Sequence, residues 1–168
     1  MEYFLKGRVT DDEDAIYNEL SGLKLPIGQD IKSQLVTIFN TTKNNGIRNK
    51  IAVIFSELED PSIVPVLINK IAEIKYSGYI STLIYACSEY DCSEWIEFFV
   101  SLVIDLDDSS YIEAMSVISE MHKPLKLSEK IVCVKRLADY QASMDKGNEK
   151  YQDVEDVLEW IESKETIS

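Results

Sequence analysis

Residues 47–71, IRNKIAVIFSELEDPSIVPVLINKI, contain two helical patterns that are separated by Asp60-Pro61. Apolar side chains recur with the spacing of one helix face on each side of this break, at Ile47, Ile51, Ile54 and Leu58, and then at Ile63, Leu67 and Ile71. Proline cannot continue the interior of a helix, but it suits the first turn. The stretch therefore predicts a helical hairpin.

The hairpin pattern recurs with a period of 32 residues. Two successive shifts by 32 carry Ile47, Ile51, Ile54, Ile63 and Leu67 onto Tyr79, Leu83, Ala86, Trp95 and Phe99, and then onto Tyr111, Met115, Ile118, Leu127 and Ile131. A fixed period in this range is typical of stacked units that cannot bury their apolar faces alone. We therefore expect these positions to form a continuous core.

The period and the turn signals divide one predicted domain, residues 1–168, into four hairpins and a last helix. The hairpins are predicted at 12–43, 47–75, 78–105 and 109–144, and the last helix at 149–164. The last helix has one apolar stripe and an otherwise acidic surface, which suits a cap on the end of a stack. At the other end, Tyr3, Phe4 and Leu5 are expected either to cap the first hairpin or to pair two chains.

Three short motifs of residues 47–71 together resemble a known family. Ile47-Arg48 at the start of the first helix, Asp60-Pro61 at the turn and residues 64–68, VPVLI, in the second helix are similar to a HEAT repeat. The resemblance covers roughly residues 12–144. It implies an all-α fold, a right-handed α-solenoid of about four hairpins whose second helices line a concave face. HEAT-like proteins mostly bind other macromolecules, and the resemblance supplies no catalytic residues.

The charge balance restricts the kind of partner. Seventeen Lys and Arg stand against thirty Asp and Glu, which gives a formal net charge of −13. Such a charge repels nucleic-acid phosphates and anionic membranes, and it attracts basic surfaces. Solubility alone also accounts for it. We expect no nucleic acid and no membrane as partner, and a basic protein if the charge has a binding role.

The chain is expected to be cytoplasmic. No segment reaches the roughly 18 apolar residues of a membrane-spanning helix, and residues 1–10, MEYFLKGRVT, have too little apolar length for a secretory signal. Cys87, Cys92 and Cys133 do not form the spacing of a disulfide framework, and we expect three buried thiols. A bond between Cys87 and Cys92 is the less favoured alternative.

The sequence contains little that indicates catalysis. His122 is the only histidine, which argues against most metal sites built on imidazole, and it is expected to be partly packed at the end of a helix. The six glycines are scattered and form no phosphate-binding loop. We expect no enzyme, no metal and no cofactor. An enzyme of HEAT-like architecture is the third alternative, and it would require a pocket that holds strongly perturbed acids.

The repeat also predicts the exposed face of each second helix. Positions 31, 35 and 36 and their 32-residue copies are apolar and are expected in the core, whereas the offset positions should face a shared hollow. These offset positions are Asp30, Ser33, Gln34 and Thr37; Ser62, Pro65, Val66 and Asn69; Glu94, Glu97, Phe98 and Ser101; and Lys126, Glu129, Lys130 and Cys133.

The middle of this face is acidic and contains one aromatic residue. Phe98 is expected either to be buried beside Trp95 and Phe99 or to form an exposed anchor among carboxylates, which would focus negative potential on a basic partner. The predicted partner-binding residues are Val66, Asn69, Glu89, Asp91, Glu94, Glu97, Phe98, Ser101, Asp105, Asp107 and Asp108.

These observations favour a protein-binding module. The most concrete prediction is an immunity protein, which neutralises a basic toxin such as a nuclease by covering the toxin's active site with an acidic concave face. The chain resembles bacterial immunity proteins in size, single-domain build and charge. The alternative is a scaffold or adaptor solenoid in a larger assembly, which would bind through an extended apolar patch or a peptide groove.

Overall fold

The computed structural model describes residues 13–167, and these residues are predominantly helical. The helices are α1 (Glu13–Ser21), α2 (Gln29–Thr41), α3 (Asn45–Ser56), α4 (Val64–Ile74), α5 (Ser81–Ser88), α6 (Ile96–Asp105), α7 (Ser110–Glu120), α8 (Leu127–Ala142) and α9 (Lys150–Ser163). The predicted all-α class is confirmed. No helix within the described residues has the length and apolar character needed to span a membrane. Tyr3, Phe4 and Leu5 lie outside the described residues, as does Asp12 at the start of the first predicted hairpin.

Short polar side chains stabilise the start of two helical segments in the first half of the chain. Oδ1 of Asn44 accepts a hydrogen bond from the backbone N–H of Ile47 at 3.1 Å, at the start of α3. Oδ1 of Asp60 accepts one from the N–H of Ser62 at 3.0 Å, in the 3₁₀ turn that leads into α4. These N–H groups have no partner within the helix, so the side chains stabilise the start.

The chain divides into two compact units after Ala86, within α5. In the first unit, α3 packs against both α1 and α2. Its core includes Phe39 and Phe55, whose ring centroids are 5.3 Å apart at an interplanar angle of 59°. The ammonium group of Lys32 in α2 also forms an ion pair with Asp60. The expectation of one domain composed of four hairpins remains a prediction.

In the second unit, α6 packs against α7 and α8, and α9 packs against the same two helices. Two short strands, β1 (Leu125–Lys126) and β2 (Thr166–Ile167), pair in parallel beside α8, with Leu125 opposite Thr166. The predicted last helix, 149–164, coincides with α9 to within one residue at each end. Residues Val154, Val157 and Ile161 are its buried apolar stripe.

The positions that the 32-residue repeat assigns to the core are buried in α4 and α6, but they are exposed in α8, where the prediction is wrong. Leu67 and Phe99 are completely buried, whereas Ile131, which occupies the same column, is 59% exposed. Leu127 is 51% exposed, and Cys133, which the repeat placed on the outward face, is buried. Among the first helices, Tyr79 is also exposed and lies outside the core where the repeat had placed it.

The reason for the difference is the way in which the chain enters each helix. A 3₁₀ turn leads directly into α4 at Pro61–Ile63 and into α6 at Ser93–Trp95. Before α8 the chain forms β1 instead, and its Leu125 is buried. Because side chains turn by about 100° per helical residue, a changed entry rotates the buried face. Within the second unit, α8 buries Cys133 and Leu137.

Candidate functional site

Two carboxylates of the predicted site lie on one surface with Lys126 of β1 and Glu129 of α8. Glu94 is exposed in the 3₁₀ turn that precedes α6, and Glu97 is exposed in the first turn of α6. Nζ of Lys126 lies 2.9 Å from Oε1 of Glu129. The hydrogen bond to Glu129 raises the pKa of Lys126, and the charges of Glu94 and Glu97 raise it further. We call Glu94, Glu97, Lys126 and Glu129 the acidic surface.

The acidic surface also has a second cation near it. Nη1 of Arg136 donates a hydrogen bond to the backbone oxygen of Glu97 at 3.4 Å. The thiol of Cys133 lies beneath, and burial raises its pKa to about 12, with a smaller contribution from the charge of Glu97. The acidic surface together with Arg136 thus contains three carboxylates and two cations. The carboxylates of Glu94 and Glu97 form no ion pair with any described residue, and they remain available to a partner.

Phe98 is neither fully buried nor fully exposed. Its ring is half-buried and meets the ring of Phe99 edge-on, with centroids 5.4 Å apart at 82°. The hydroxyl of Ser101 donates to the backbone oxygen of Phe98 at 2.6 Å, which is a local contact within α6. An edge-to-face pair of this kind fixes the orientation of both rings. Part of Phe98 can therefore still be covered by another molecule.

Asp91 has a structural role in the second unit. Its Oδ1 accepts a hydrogen bond from the N–H of Ser93 at 3.0 Å, and its Oδ2 lies 3.2 Å from Nε2 of His122. Burial would raise the pKa of Asp91, but the hydrogen bonds from Ser93 and the charges of His122 and Lys123 lower it below the ordinary value. The carboxylate of Asp91 is directed to these internal partners.

The prediction that His122 is partly packed is wrong. Its side chain is 75% exposed, whereas the side chain of Asp91 is only 9% exposed. Because α7 ends at Glu120, His122 lies in the segment that follows the helix and is held on the surface by its contact with Asp91. A single histidine on a surface does not form a metal site, and no group of three or more His, Cys, Asp or Glu residues within 13–167 has the arrangement for one.

The other predicted acids of the second unit are exposed as well. Glu89 directly follows the end of α5. Asp105, Asp107 and Asp108 are exposed at the far end of α6, a helix of ten residues and therefore about 15 Å long. Oδ1 of Asp108 also accepts a hydrogen bond from the N–H of Ser110 at 2.9 Å, at the start of α7.

Two predicted site residues lie in the first unit, on α4. Val66 is half-buried and Asn69 is exposed. The neighbouring Leu67 and Ile68 are buried, as expected for the other face of this helix. The three cysteines are buried and form no disulfide bond, which confirms the expectation from their spacing.

Two surface features were missed by sequence reasoning. The first is a cavity of about 320 Å³ that is lined by His122, Lys123, Pro124, Trp160, Ser163, Lys164 and Glu165. Nζ of Lys164 lies 4.1 Å from the ring centroid of Trp160 and donates to the backbone oxygen of Met121 at 2.6 Å. The amine is therefore already bound within the protein. The spacing of Trp160 and Lys164, four residues apart on a helix, was the available signal.

The second feature is a groove of about 430 Å³ beside α8. Its lining is Leu127, Lys130, Ile131, Val134, Lys135 and Glu162. Sequence reasoning missed it because the repeat assigned Leu127 and Ile131 to the core.

Comparisons of the chain with protein-family models, with curated proteins and with solved structures found no match.

Proposed function

We propose that this chain is a protein-binding module with a HEAT-like α-solenoid architecture that captures a basic protein partner. In its concrete form the proposal is an immunity protein, which covers the active site of a cationic toxin such as a nuclease. The observation that carries it is the exposure of Glu94 and Glu97, without ion-pair partners among the described residues, on a chain of net charge −13.

The physical basis of the proposal is electrostatic attraction followed by local contact. A toxin that acts on nucleic acid needs a basic active site, because it must bind phosphates. A strongly negative protein accelerates the encounter with such a site, and charge complementarity fixes the orientation. The half-buried ring of Phe98, one residue from Glu97, would then supply apolar contact that the charges alone lack.

The test is capture of partners from extracts of the native host by the immobilised chain, followed by mass spectrometry. The parent chain is expected to retain basic proteins, and the double variant Glu94→Lys/Glu97→Lys is expected to lose them. The association rate of the purified captured protein should fall by about tenfold or more with the variant, because steering depends on local charge.

A matched control separates local charge from total charge. The double variant Asp156→Lys/Glu159→Lys changes two acids on α9 and raises the net charge by the same four units, from −13 to −9. It is expected to retain the partner. Equal loss in both variants would mean that only the total charge matters, and unchanged capture by Glu94→Lys/Glu97→Lys would refute the proposed site.

The second candidate function is a scaffold or adaptor. The specific observation that favours it is the exposure of Leu127 and Ile131 in a groove beside α8. Salt distinguishes the two candidates. Capture through carboxylates should weaken steeply between about 50 and 500 mM salt, because the Debye length falls below about 5 Å, whereas capture through the groove should weaken far less, because burial of apolar side chains supplies most of its affinity.

A further inference from the structure

The groove beside α8 has the side-chain spacing of a helix-packing surface. Leu127, Ile131, Val134 and Ala138 follow one another at intervals of four, three and four residues along α8. Leu127, Ile131 and Ala138 are exposed, and Val134 is half-buried. This alternation of four and three is the spacing of apolar residues in a coiled-coil seam, so the stripe suits a second helix laid along α8.

The stripe is not needed for packing within the second unit. The residues that α8 buries are Cys133 and Leu137, which lie on a different side of the helix. Monomeric proteins seldom leave a contiguous apolar stripe exposed without a binding role. The stripe is therefore a candidate for intermolecular contact.

The charges beside the stripe indicate which kind of helix would fit. Lys130 and Lys135 flank it in the positions next to the seam. Nζ of Lys130 is fixed there, because it donates to the backbone oxygens of Glu162 at 2.7 Å and Lys164 at 2.6 Å. Lys135 is exposed and forms no ion pair with any described residue. Each flank of the stripe thus carries a lysine, and because Glu162 also lines the groove beside Lys130, the Lys135 flank is the more positive of the two.

A second copy of the chain does not suit this arrangement. If two copies of α8 paired in parallel, Lys130 would face Lys135 of the other copy; if they paired antiparallel, the flank that holds Lys130 would face the same flank of the other copy, and likewise for the flank that holds Lys135. Like charges at these flanking positions oppose association. The complementary partner is a helix that has carboxylates beside its apolar seam.

We propose that the α8 groove binds an amphipathic helix of another protein, with apolar residues at heptad spacing and Asp or Glu at the flanking positions. This inference deepens the second candidate function and rests on it. It does not depend on the acidic surface around Glu94 and Glu97. The chain would then hold two partners of opposite charge at two separate places.

The test uses two synthetic helical peptides of three heptads, about 21 residues each, with identical leucine seams. One has glutamates at both flanking positions and the other has lysines. Fluorescence anisotropy of the labelled peptides is measured against the full chain. The glutamate peptide is expected to bind with a dissociation constant below about 100 µM, and the lysine peptide at least about tenfold more weakly.

Three variants of the chain place the binding in the groove. Ile131→Ser should weaken binding of the glutamate peptide by about tenfold or more, because it removes the most exposed large apolar side chain of the stripe. The matched control Ile112→Ser removes an isoleucine of α7 that is 50% exposed, and it should have no effect. Lys135→Glu should reduce the preference for the glutamate peptide over the lysine peptide.

Each contrary outcome has a defined meaning. Equal binding of both peptides, or a Lys135→Glu variant with unchanged preference, would overturn the acidic-helix proposal while leaving an apolar docking groove. A dimer in analytical ultracentrifugation that Ile131→Ser dissociates would assign the groove to a second copy and would also overturn it. Binding of neither peptide at about 1 mM to a monomeric chain would remove both the inference and the support for the adaptor function.

Discussion

Nε2 of His122 lies 3.2 Å from Oδ2 of Asp91, and this contact joins the segment after α7 to the turn before α6. The contact is electrostatic, because Oδ2 of Asp91 accepts no well-aligned hydrogen bond. Its other oxygen is bound by Ser93. An acid that the sequence assigned to a partner is thus used to hold two segments of the second unit together.

The first prediction concerns the acid stability that Asp91 provides. The pKa of Asp91 is lowered in the folded chain, so its contribution is present above the unfolded pKa of about 4 and is lost as the pH falls through the folded pKa. Asp91→Asn keeps an oxygen that can accept from Ser93 but removes the charge. We expect the variant to be less stable than the parent by up to about 1 kcal/mol near pH 7, since His122 is solvent-exposed, and equally stable near pH 2. Urea unfolding followed by circular dichroism at several pH values checks this, and a difference that persists unchanged at pH 2 would contradict it.

The second prediction compares two residues in the same column of the repeat. Leu67 is completely buried and Ile131 is 59% exposed. Leu67→Asp places an unpaired charge in the core and should destabilise the chain by about 4 kcal/mol or more, enough to unfold it at ordinary temperature. Ile131→Asp should change the free energy of unfolding by no more than about 0.5 kcal/mol.

Thermal melting of both variants by circular dichroism decides the comparison. Similar loss of helix in the two variants would mean that α8 buries the face that the repeat predicted. A stable Leu67→Asp variant would mean that the packing of α4 is described wrongly.

The third prediction concerns a buried cation. Lys150, at the start of α9, is buried, and its Nζ donates to the backbone oxygen of Leu106 at 2.7 Å and to the hydroxyl of Tyr140 at 3.1 Å. Lys150→Met keeps most of the volume but leaves the buried oxygen of Leu106 without its donor, which should cost about 1–3 kcal/mol. The control Lys146→Met, at an exposed position before α9, should change stability by less than about 0.5 kcal/mol. Urea unfolding of both variants measures the difference, and equal stability would contradict this role of Lys150.

Helix positions could be predicted from the sequence because they depend on neighbours in the chain. Asn44, which lies between the first two predicted hairpins, and the Asp60-Pro61 break mark starts of helices, since a short polar side chain satisfies N–H groups only two or three residues away. The burial of Leu67 also followed from spacing, because the apolar face of α4 is the one that the period marks. Part of the candidate site followed in the same way, as Glu94 and Glu97 are exposed at the positions that the repeat distinguished from the buried Phe99 and Val100.

Other features of the site could not be read from local pattern. The contact of Asp91 with His122 and the fixing of Lys130 by the end of α9 join residues about thirty positions apart. No spacing rule in a single sequence reports which polar groups meet across such distances. For this reason the sequence predicts neither the contact of Asp91 with His122 nor the exposure of His122.

The helical character of the chain, the starts of several helices and the strong negative charge could be predicted from the amino-acid sequence alone, because these properties depend on neighbouring residues and on composition. The choice of which face of α8 is buried is made by contacts between distant parts of the folded chain. That choice depends on β1 pairing with β2, which brings Leu125 beside Thr166 and changes how the chain enters the helix. The exposure of Leu127 and Ile131 follows from this long-range pairing, and a periodic pattern that treats every helix as entered in the same way cannot predict it.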